Sequence, residues 1–535
     1  MAQNQKIMPL WMSILPPLVA ILMALLLKEV ISSLFFGILT GAVIMAYYGG
    51  CGPLEALGGG LLRVADTYLA GALFADEHVK IILFTLMIGG MVKIITVNGG
   101  MQGIVKWLSK RAKGPRSGQL ITFMMDFCVF FDDYSNTLVV GNTMRPLADK
   151  LRISREKLSY IVDSTSAPVV AVAFVTTWIG AELSYIQEGI NTIGLDMSPY
   201  SVFFSSLAYS FYPFLTLAFV LMIILSGRDF GPMLKAERKA RQAEHVVDET
   251  SKQQVQHGHA IDAVIPLLVL IIGTIVGLFV TGYDASVWSD PSHDFMGKLS
   301  ATIGAADSYQ ALLWSSLCSL LTAIIITLMR RVLKFDKIME ASVEGFKSMF
   351  NAVVILTMAC AIALVAEDMH TAEFVSHLLV KWALPPALVP VITFLLAALI
   401  GFSTGTSWGT MAILYPLILP ASWLLCQDQG FSVDQTLPIF YNVVASVLAG
   451  AVMGDHCSPI SDTTIMSSLS TQCEHLSHVG TQMPYALMVG SVAMLLGVLP
   501  TALGLPSWIA FLFAIAVLWL IVRFVGKKIH KNESV

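Results

Sequence analysis

Charge is what this chain has little of. Of its 535 residues only 13% are Asp, Glu, Lys or Arg, against about 25% in a soluble globular protein. With 56% hydrophobic residues, this excludes a water-soluble fold and identifies a polytopic membrane protein. No basic stripe with interleaved aromatics exists, and the net charge is -4, so nucleic acid is excluded as a partner. The seven cysteines lie at 51, 128, 318, 360, 426, 457 and 473, with no CxxC pair. They read as small buried side chains, with neither a disulfide framework nor a zinc site. No small-x-small cleavage site follows the first apolar run, so that run is expected to stay as a membrane helix. Basic residues are scarcest late in the chain: between 348 and 522 the only Lys or Arg is Lys381.

What remains is apolar sequence in windows long enough to cross a bilayer. A crossing helix needs about 20 residues at 1.5 Å each. Such windows fall near 9–27, 30–48, 81–98, 157–179, 199–226, 261–282, 308–329, 349–367, 437–457, 484–503 and 507–526. Two further stretches, 118–148 and 386–425, are too long for one span and are broken near the middle. Lys106, Lys110, Arg111, Lys113 and Arg116 precede the first, and Arg145, Lys150, Arg152, Arg155 and Lys157 follow it. Positive loops prefer the cytoplasm, so 118–148 is expected to enter and return as a re-entrant helical hairpin. The second stretch has no Lys or Arg and is expected to be a hairpin entering from outside.

The halves repeat. Leu120-Ile-Thr-Phe123 matches Val391-Ile-Thr-Phe394, and Met144-Arg-Pro-Leu147 matches Leu414-Tyr-Pro-Leu417, both at an offset of about 270. The expected fold is an all-α polytopic membrane protein of two inverted-topology repeats, with re-entrant hairpins and broken transmembrane helices. The first repeat takes residues 1–226, a solvated cytoplasmic linker 227–260 and the second repeat 261–506. An extra helix and cytoplasmic tail complete the chain at 507–535. The basic clusters place the N-terminus outside and the C-terminus inside.

Four polar stretches interrupt the apolar sequence, and charge at that depth usually marks an ion or substrate path. At the first hairpin tip, Asp132 and Asp133 are adjacent carboxylates that resist ionising together in low dielectric. A proton and a cation would compete for them. Ser135 and Asn136 add neutral oxygens suited to a hard cation such as sodium. Capping of the following helix is the structural alternative. Asp163, Ser164 and Thr165 precede Pro168, which should disrupt the helix there and free carbonyls. Asp455 and Asp462 flank Cys457-Ser458-Pro459, with Asp455 corresponding to Asp163. Ser458, Ser461 and Thr463 offer hydroxyls, and His456 is either a proton relay or a hydrogen-bonded structural residue. The second tip, with Ser403, Thr404, Thr406 and Ser407, is uncharged. It suits an organic solute's carboxylate at a helix N-terminus, or close packing through small residues. Asp126 and Lys93, also in apolar windows, are left outside the core site.

These motifs resemble those of the NhaC family of sodium/proton antiporters, in the ion-transporter superfamily. The matching stretches are Phe131-Asp-Asp-Tyr-Ser-Asn-Thr-Leu138, Tyr160-Ile-Val-Asp-Ser-Thr-Ser-Ala-Pro168, Gly401-Phe-Ser-Thr-Gly-Thr-Ser-Trp-Gly-Thr410 and Met453-Gly-Asp-His-Cys-Ser-Pro-Ile-Ser-Asp-Thr-Thr464. The last is the most specific, and the likeness runs over roughly 10–505. The resemblance implies inverted repeats meeting near the midplane, and sodium coupling.

The expected function is therefore sodium/proton antiport by alternating access, in a bacterial-type cytoplasmic membrane. Sodium would bind at Asp133, Asn136 and Asp163, with Na+ and H+ as coupling ions and no cofactor. The alternative is sodium-coupled transport of an amino acid or small organic acid. A magnesium-dependent intramembrane enzyme at Asp132-Asp133 lacks a second acidic pair, and a passive channel would carry ions faster than alternating access. Homodimerisation is an open option.

Overall fold

The computed structural model describes residues 8–27, 29–74, 76–109, 114–242, 258–289, 298, 301–303, 305–381 and 384–529. Lys110, Arg111 and Lys113 of the expected cytoplasmic cluster lie outside the described residues, as do linker residues 243–257 and the end of the tail. The architecture is helical. Among the described residues ten helices can cross a membrane by length and composition, or eleven if the pair Pro199–Leu207 and Phe211–Ser226, bent by 44°, counts as one span.

The bundle is inside out relative to a soluble protein. Leu18, Leu22, Ile272, Ile275, Leu512 and Phe513 are exposed on its outside, while Asp132, Asp133, Asp163 and Asp455 are buried. Exposed leucines suit a lipid surface; buried carboxylates are the informative exception. The centre is formed by helices covered on every side. In the helix Arg155–Val172 each side chain from Lys157 to Ala171 is buried. Ser407–Asp428 and Val433–Cys457 are 83% and 78% buried across their most apolar windows.

Both expected hairpins are present. The first pairs Pro115–Cys128 with Asp133–Lys150, and the second pairs Val389–Thr404 with Ser407–Asp428. The internal matches fall on equivalent arms: 120–123 and 391–394 on the first, 144–147 and 414–417 on the second. The hairpins differ in reach. At 1.5 Å per residue the arm Pro115–Cys128 is about 21 Å long and Ser407–Asp428 about 33 Å. Both arms of the second hairpin are thus long and apolar enough to cross alone.

Each hairpin is followed by an interrupted helix. In the first half Arg155–Val172 gives way at 173–178 to Ile179–Ile193; in the second, Val433–Cys457 gives way at 458–461 to Asp462–Thr471. The first break differs from the expectation at Pro168. That proline lies inside the helix, which continues to Val172. Pro168 removes only one amide hydrogen bond, and burial on all sides holds the remaining turns together.

The segment expected as a solvated linker begins with a packed helix, Gly231–Gln242, which buries Met233, Leu234 and Glu237. A Glu237 carboxylate oxygen accepts from the Ser154 amide at 2.7 Å. Just before it, Arg228–Asp229 pairs antiparallel with Lys527–Lys528, and Asp229 forms a fully buried ion pair with Lys157. The start of the linker is therefore tied to both the first interrupted helix and the C-terminal strand.

The second tip depends on Gly405, which closes its helix at φ 68° and donates to the Gly401 carbonyl at 2.8 Å. A Cβ there would stand 2.5 Å from the Ile460 carbonyl oxygen. Gly405→Ala therefore adds a backbone clash to the roughly 1–3 kcal/mol cost of a left-handed non-glycine residue. Gly430 (φ 77°) has open space where a Cβ would go and serves as the control. Thermal unfolding in detergent should show Gly405→Ala well below Gly430→Ala; equal midpoints would mean that the tip does not depend on this contact.

Candidate ion site

The two interruptions expose backbone groups that the interior must satisfy, and in each half the hairpin tip supplies a partner. In the first half the Thr177 amide donates to the Phe131 carbonyl at 2.9 Å. In the second, the Asp462 amide donates to the Gly405 carbonyl at 3.3 Å. Side chains reinforce both meetings. Thr177 Oγ1 donates to Asp132 Oδ1 at 3.0 Å, and Trp178 Nε1 donates to Asp133 Oδ1 at 3.2 Å. Ser458 Oγ donates to the Phe402 carbonyl at 2.7 Å. The renewed helices are capped locally: Thr176 Oγ1 accepts from the Trp178 and Ile179 amides, and Ser461 Oγ from the Thr464 amide.

The two meetings touch each other. Tyr134 donates to Asp462 Oδ2 at 3.3 Å, and the Trp178 and Trp408 rings lie edge to face at 6.1 Å. A cavity of about 500 Å³ opens at this seam, walled by Glu29, Asp132, Asp133, Tyr134, Thr404, Thr406, Trp408 and Asp462 among others. Among the described residues its lining contains four carboxylates and no Lys or Arg. Glu29 caps its own helix, accepting from the Ile31 and Ser32 amides.

Deeper in the protein a second polar group forms around Asp163. Its Oδ2 accepts from Gln482 Nε2 at 2.6 Å and Thr464 Oγ1 at 3.0 Å, and lies 3.2 Å from His478 Nε2. Gln482 Nε2 also donates to the His456 carbonyl at 2.9 Å, and Ser467 Oγ lies 3.0 Å from His478 Nε2. His456 Nδ1 is 2.9 Å from the Tyr212 hydroxyl, which fits the hydrogen-bonded structural role. Nearby, Thr463 Oγ1 donates to Asp455 Oδ2 at 3.2 Å and meets Ser461 Oγ at 3.1 Å.

The expected residues thus divide into two zones. Asp132, Asp133, Asp462, Thr404 and Thr406 border the cavity, while Asp163, Ser164, Asp455, His456 and Thr463 lie in the deeper group. Ser403 is half-buried and Ser407 is buried with its hydroxyl unpartnered among the described residues. Ser135 lies on the second arm of the first hairpin, its side chain outside the described ones. Asp163 does not take its hydrogen bonds from the first tip. Its helix meets that arm through Thr137 and Ser166, whose hydroxyl oxygens are 3.3 Å apart. Its partners come from the second half.

His478 and Gln482 were missed by the sequence reading. They are four residues apart, on one face of a helix otherwise apolar enough to cross a membrane, and that spacing was the available signal. Asp126 belongs to this region too. It is fully buried, neither carboxylate oxygen has a hydrogen-bond partner among the described residues, and its carbonyl accepts from Asn136 Nδ2 at 2.9 Å.

Residues 169–500 match the model of the Na+/H+ antiporter family. An uncharacterised protein of Haemophilus influenzae is 30% identical over 90% of this chain and 88% of its own length. Shorter matches link the chain to a malate-2H+/Na+-lactate antiporter of Bacillus subtilis and the arginine/ornithine antiporter ArcD of Halobacterium salinarum. The first is 26% identical over 27% of this chain and 28% of its own, and the second 25% over 30% of each. The fold resembles the crystal structure of the Alcanivorax borkumensis YdaH transporter, with a TM-score of 0.58 at 16% identity over 83% of this chain and 90% of that one. The chain belongs to the Na+/H+ antiporter family.

Proposed function

We propose that the protein exchanges sodium for protons by alternating access, the two ions competing for intramembrane aspartates. One observation carries this reading. Asn136 Oδ1, Asp163 Oδ1, Thr165 Oγ1 and Asp455 Oδ1 are all buried oxygens with no hydrogen-bond partner among the described residues. All four belong to residues the sequence singled out, or adjoin them, as hard-oxygen ligands. A buried carboxylate oxygen left unpaired is costly, and either a proton or a sodium ion relieves that cost. Asp132, Asp133 and Asp462 would collect the ion at the cavity, and Asp163 and Asp455 would hold it deeper. The chain would sit in a bacterial-type cytoplasmic membrane with its N-terminus outside and its C-terminus inside.

The cavity favours a second reading. Its volume exceeds what a bare ion needs, and a wall with four carboxylates and, among the described residues, no Lys or Arg suits an organic solute bearing a positive group. An amino acid would place its ammonium among these carboxylates and its carboxylate at the N-terminus of Ser407–Asp428, beside the Ser407 hydroxyl. An organic acid alone would be repelled. The relative from Halobacterium is named for two such amino acids.

Proteoliposomes with a luminal pH dye separate the two readings. Sodium added outside, with no organic solute, should change the luminal pH. Silence from correctly inserted protein, with exchange of labelled arginine or another cationic amino acid, would replace antiport of sodium and protons by the second reading. In the same assay Asp163→Asn and Asp455→Asn should each reduce sodium-dependent flux at least about tenfold. Loss of a charged contact worth roughly 1.5–3 kcal/mol corresponds to that change. Both variants should elute as folded protein; unchanged flux in both would sink the site assignment.

A further inference from the structure

Apart from the carboxylate cluster, three side chains from three helices meet. His78 lies on Asp76–Val97, Glu188 on Ile179–Ile193 and Cys360 on Phe350–Asp368. An imidazole nitrogen, a carboxylate oxygen and the thiol sulfur all lie within 4.8 Å of one another. Scattered cysteine spacing argued against a metal ligand; it is the packing of distant helices that makes this group.

The hydrogen bonds restrict what the histidine can do. His78 Nδ1 lies 2.6 Å from the Ala72 carbonyl oxygen. A carbonyl only accepts, so Nδ1 carries the hydrogen. In the neutral ring Nε2 then presents a lone pair, yet it lies 3.3 Å from Glu188 Oε1. Two bare acceptors at that distance need something between them: a proton, on the ring or on the carboxyl, or a metal ion. The rest of the group favours the metal. Glu188 Oε2 is buried with no hydrogen-bond partner among the described residues. Cys360 Sγ is buried, 3.7 Å from Ser184 Oγ. A backbone carbonyl on the far ring nitrogen is also how metal-bound histidines are usually oriented. A cavity of about 20 Å³ borders Glu188, room for about one water.

We propose that His78, Glu188 and Cys360 bind a transition-metal dication of the zinc or cobalt type, with a water as fourth ligand. Nitrogen, oxygen and sulfur donors in a tetrahedral set suit such an ion rather than sodium or magnesium. The side chains of His78 and Glu188 are 13% and 16% exposed, so the group is not sealed inside the bundle. Bound there, it joins three helices that bear on transport. Ile179–Ile193 begins beside Trp178, which holds Asp133. Phe350–Asp368 contributes Asn351, Ala352 and Ile355 to the cavity wall. The metal would staple both to Asp76–Val97 and slow their movement, acting as an inhibitor.

The test reads binding directly and does not depend on what is transported. Purified full-length protein, stripped with chelator, is titrated with Co2+ alone. One Co2+ per chain should bind, with visible d–d bands and a thiolate-to-cobalt charge-transfer band, and Zn2+ should displace it. His78→Gln and Cys360→Ser should each weaken binding at least about tenfold, since even changes around metal ligands cost that much. Cys360→Ser should also abolish the charge-transfer band, and Cys360→Ala serves if the serine variant does not fold. No Co2+ uptake by the wild-type protein would overturn the proposal and leave a proton between His78 and Glu188. Equal uptake by both folded variants would overturn it as well.

Discussion

The structure depends on satisfying backbone that two interrupted helices leave open in a low-dielectric interior. An unpaired amide or carbonyl there costs several kcal/mol, so neither break could persist unaided. Each is closed by a carbonyl from the preceding hairpin tip: Phe131 for Thr177, and Gly405 for Asp462. The tips in turn need short polar or glycine-containing sequence, which is why polar stretches recur in otherwise apolar segments. The polar motifs are thus first a condition of the fold, and carboxylates placed there acquire their chemical character from it.

The manner in which those carboxylates are held also distinguishes them from structural ones. Asp229 is fixed by an ammonium, Lys157, and by the Tyr485 hydroxyl at 2.8 Å. Such a pair has no reason to release its cation, because breaking it would strand a buried charge. Asp163 and Asp455 instead take their described hydrogen bonds from Thr464, Gln482 and Thr463, beside the imidazole of His478. Neutral donors orient a carboxylate without neutralising it. One oxygen of each remains unpartnered among the described residues, and in the proposed exchange that oxygen would trade a proton for a cation.

Much of this was legible in the sequence, and the failures have identifiable causes. Hairpins follow from apolar length set against flanking charge, and both are present. Three of the polar motifs fall at the tips and at the second break, while the one at 163–168 lies inside the buried helix that precedes the first break. The position of the first break was not legible. Pro168 is a local signal, but the helix around it is buried on all sides and survives, whereas the real break at 173–178 contains no proline or glycine. It is set by long-range contacts of Thr177 and Trp178 with the hairpin tip. His478 and Gln482 escaped for a related reason, since a polar pair in an apolar helix does not reveal which distant carboxylate it faces. The two-zone arrangement of the aspartates was equally hidden, because adjacency in sequence places Asp133 close to Asn136 but says nothing about the partners of Asp163.

The distribution of contacts between the halves bears on how such a protein could move. Each tip and its break are held by backbone hydrogen bonds and form a unit. Among the described residues the cavity-side contacts between units include a Tyr134–Asp462 hydrogen bond at 3.3 Å and a Trp178–Trp408 edge contact, each worth about 0.5–1.5 kcal/mol; further along the same arm Arg145 donates to the Ser470 carbonyl at 3.5 Å. Asp163 is different, because it sits on the first half's interrupted helix and takes three polar partners from the second. Sliding one unit past the other must exchange those partners. A cation on Asp163 would weaken the carboxylate's claim on Gln482 and Thr464, while a proton would turn one oxygen from acceptor to donor. On the proposed function, movement between the halves would be tied to what Asp163 carries, which is the coupling that exchange requires.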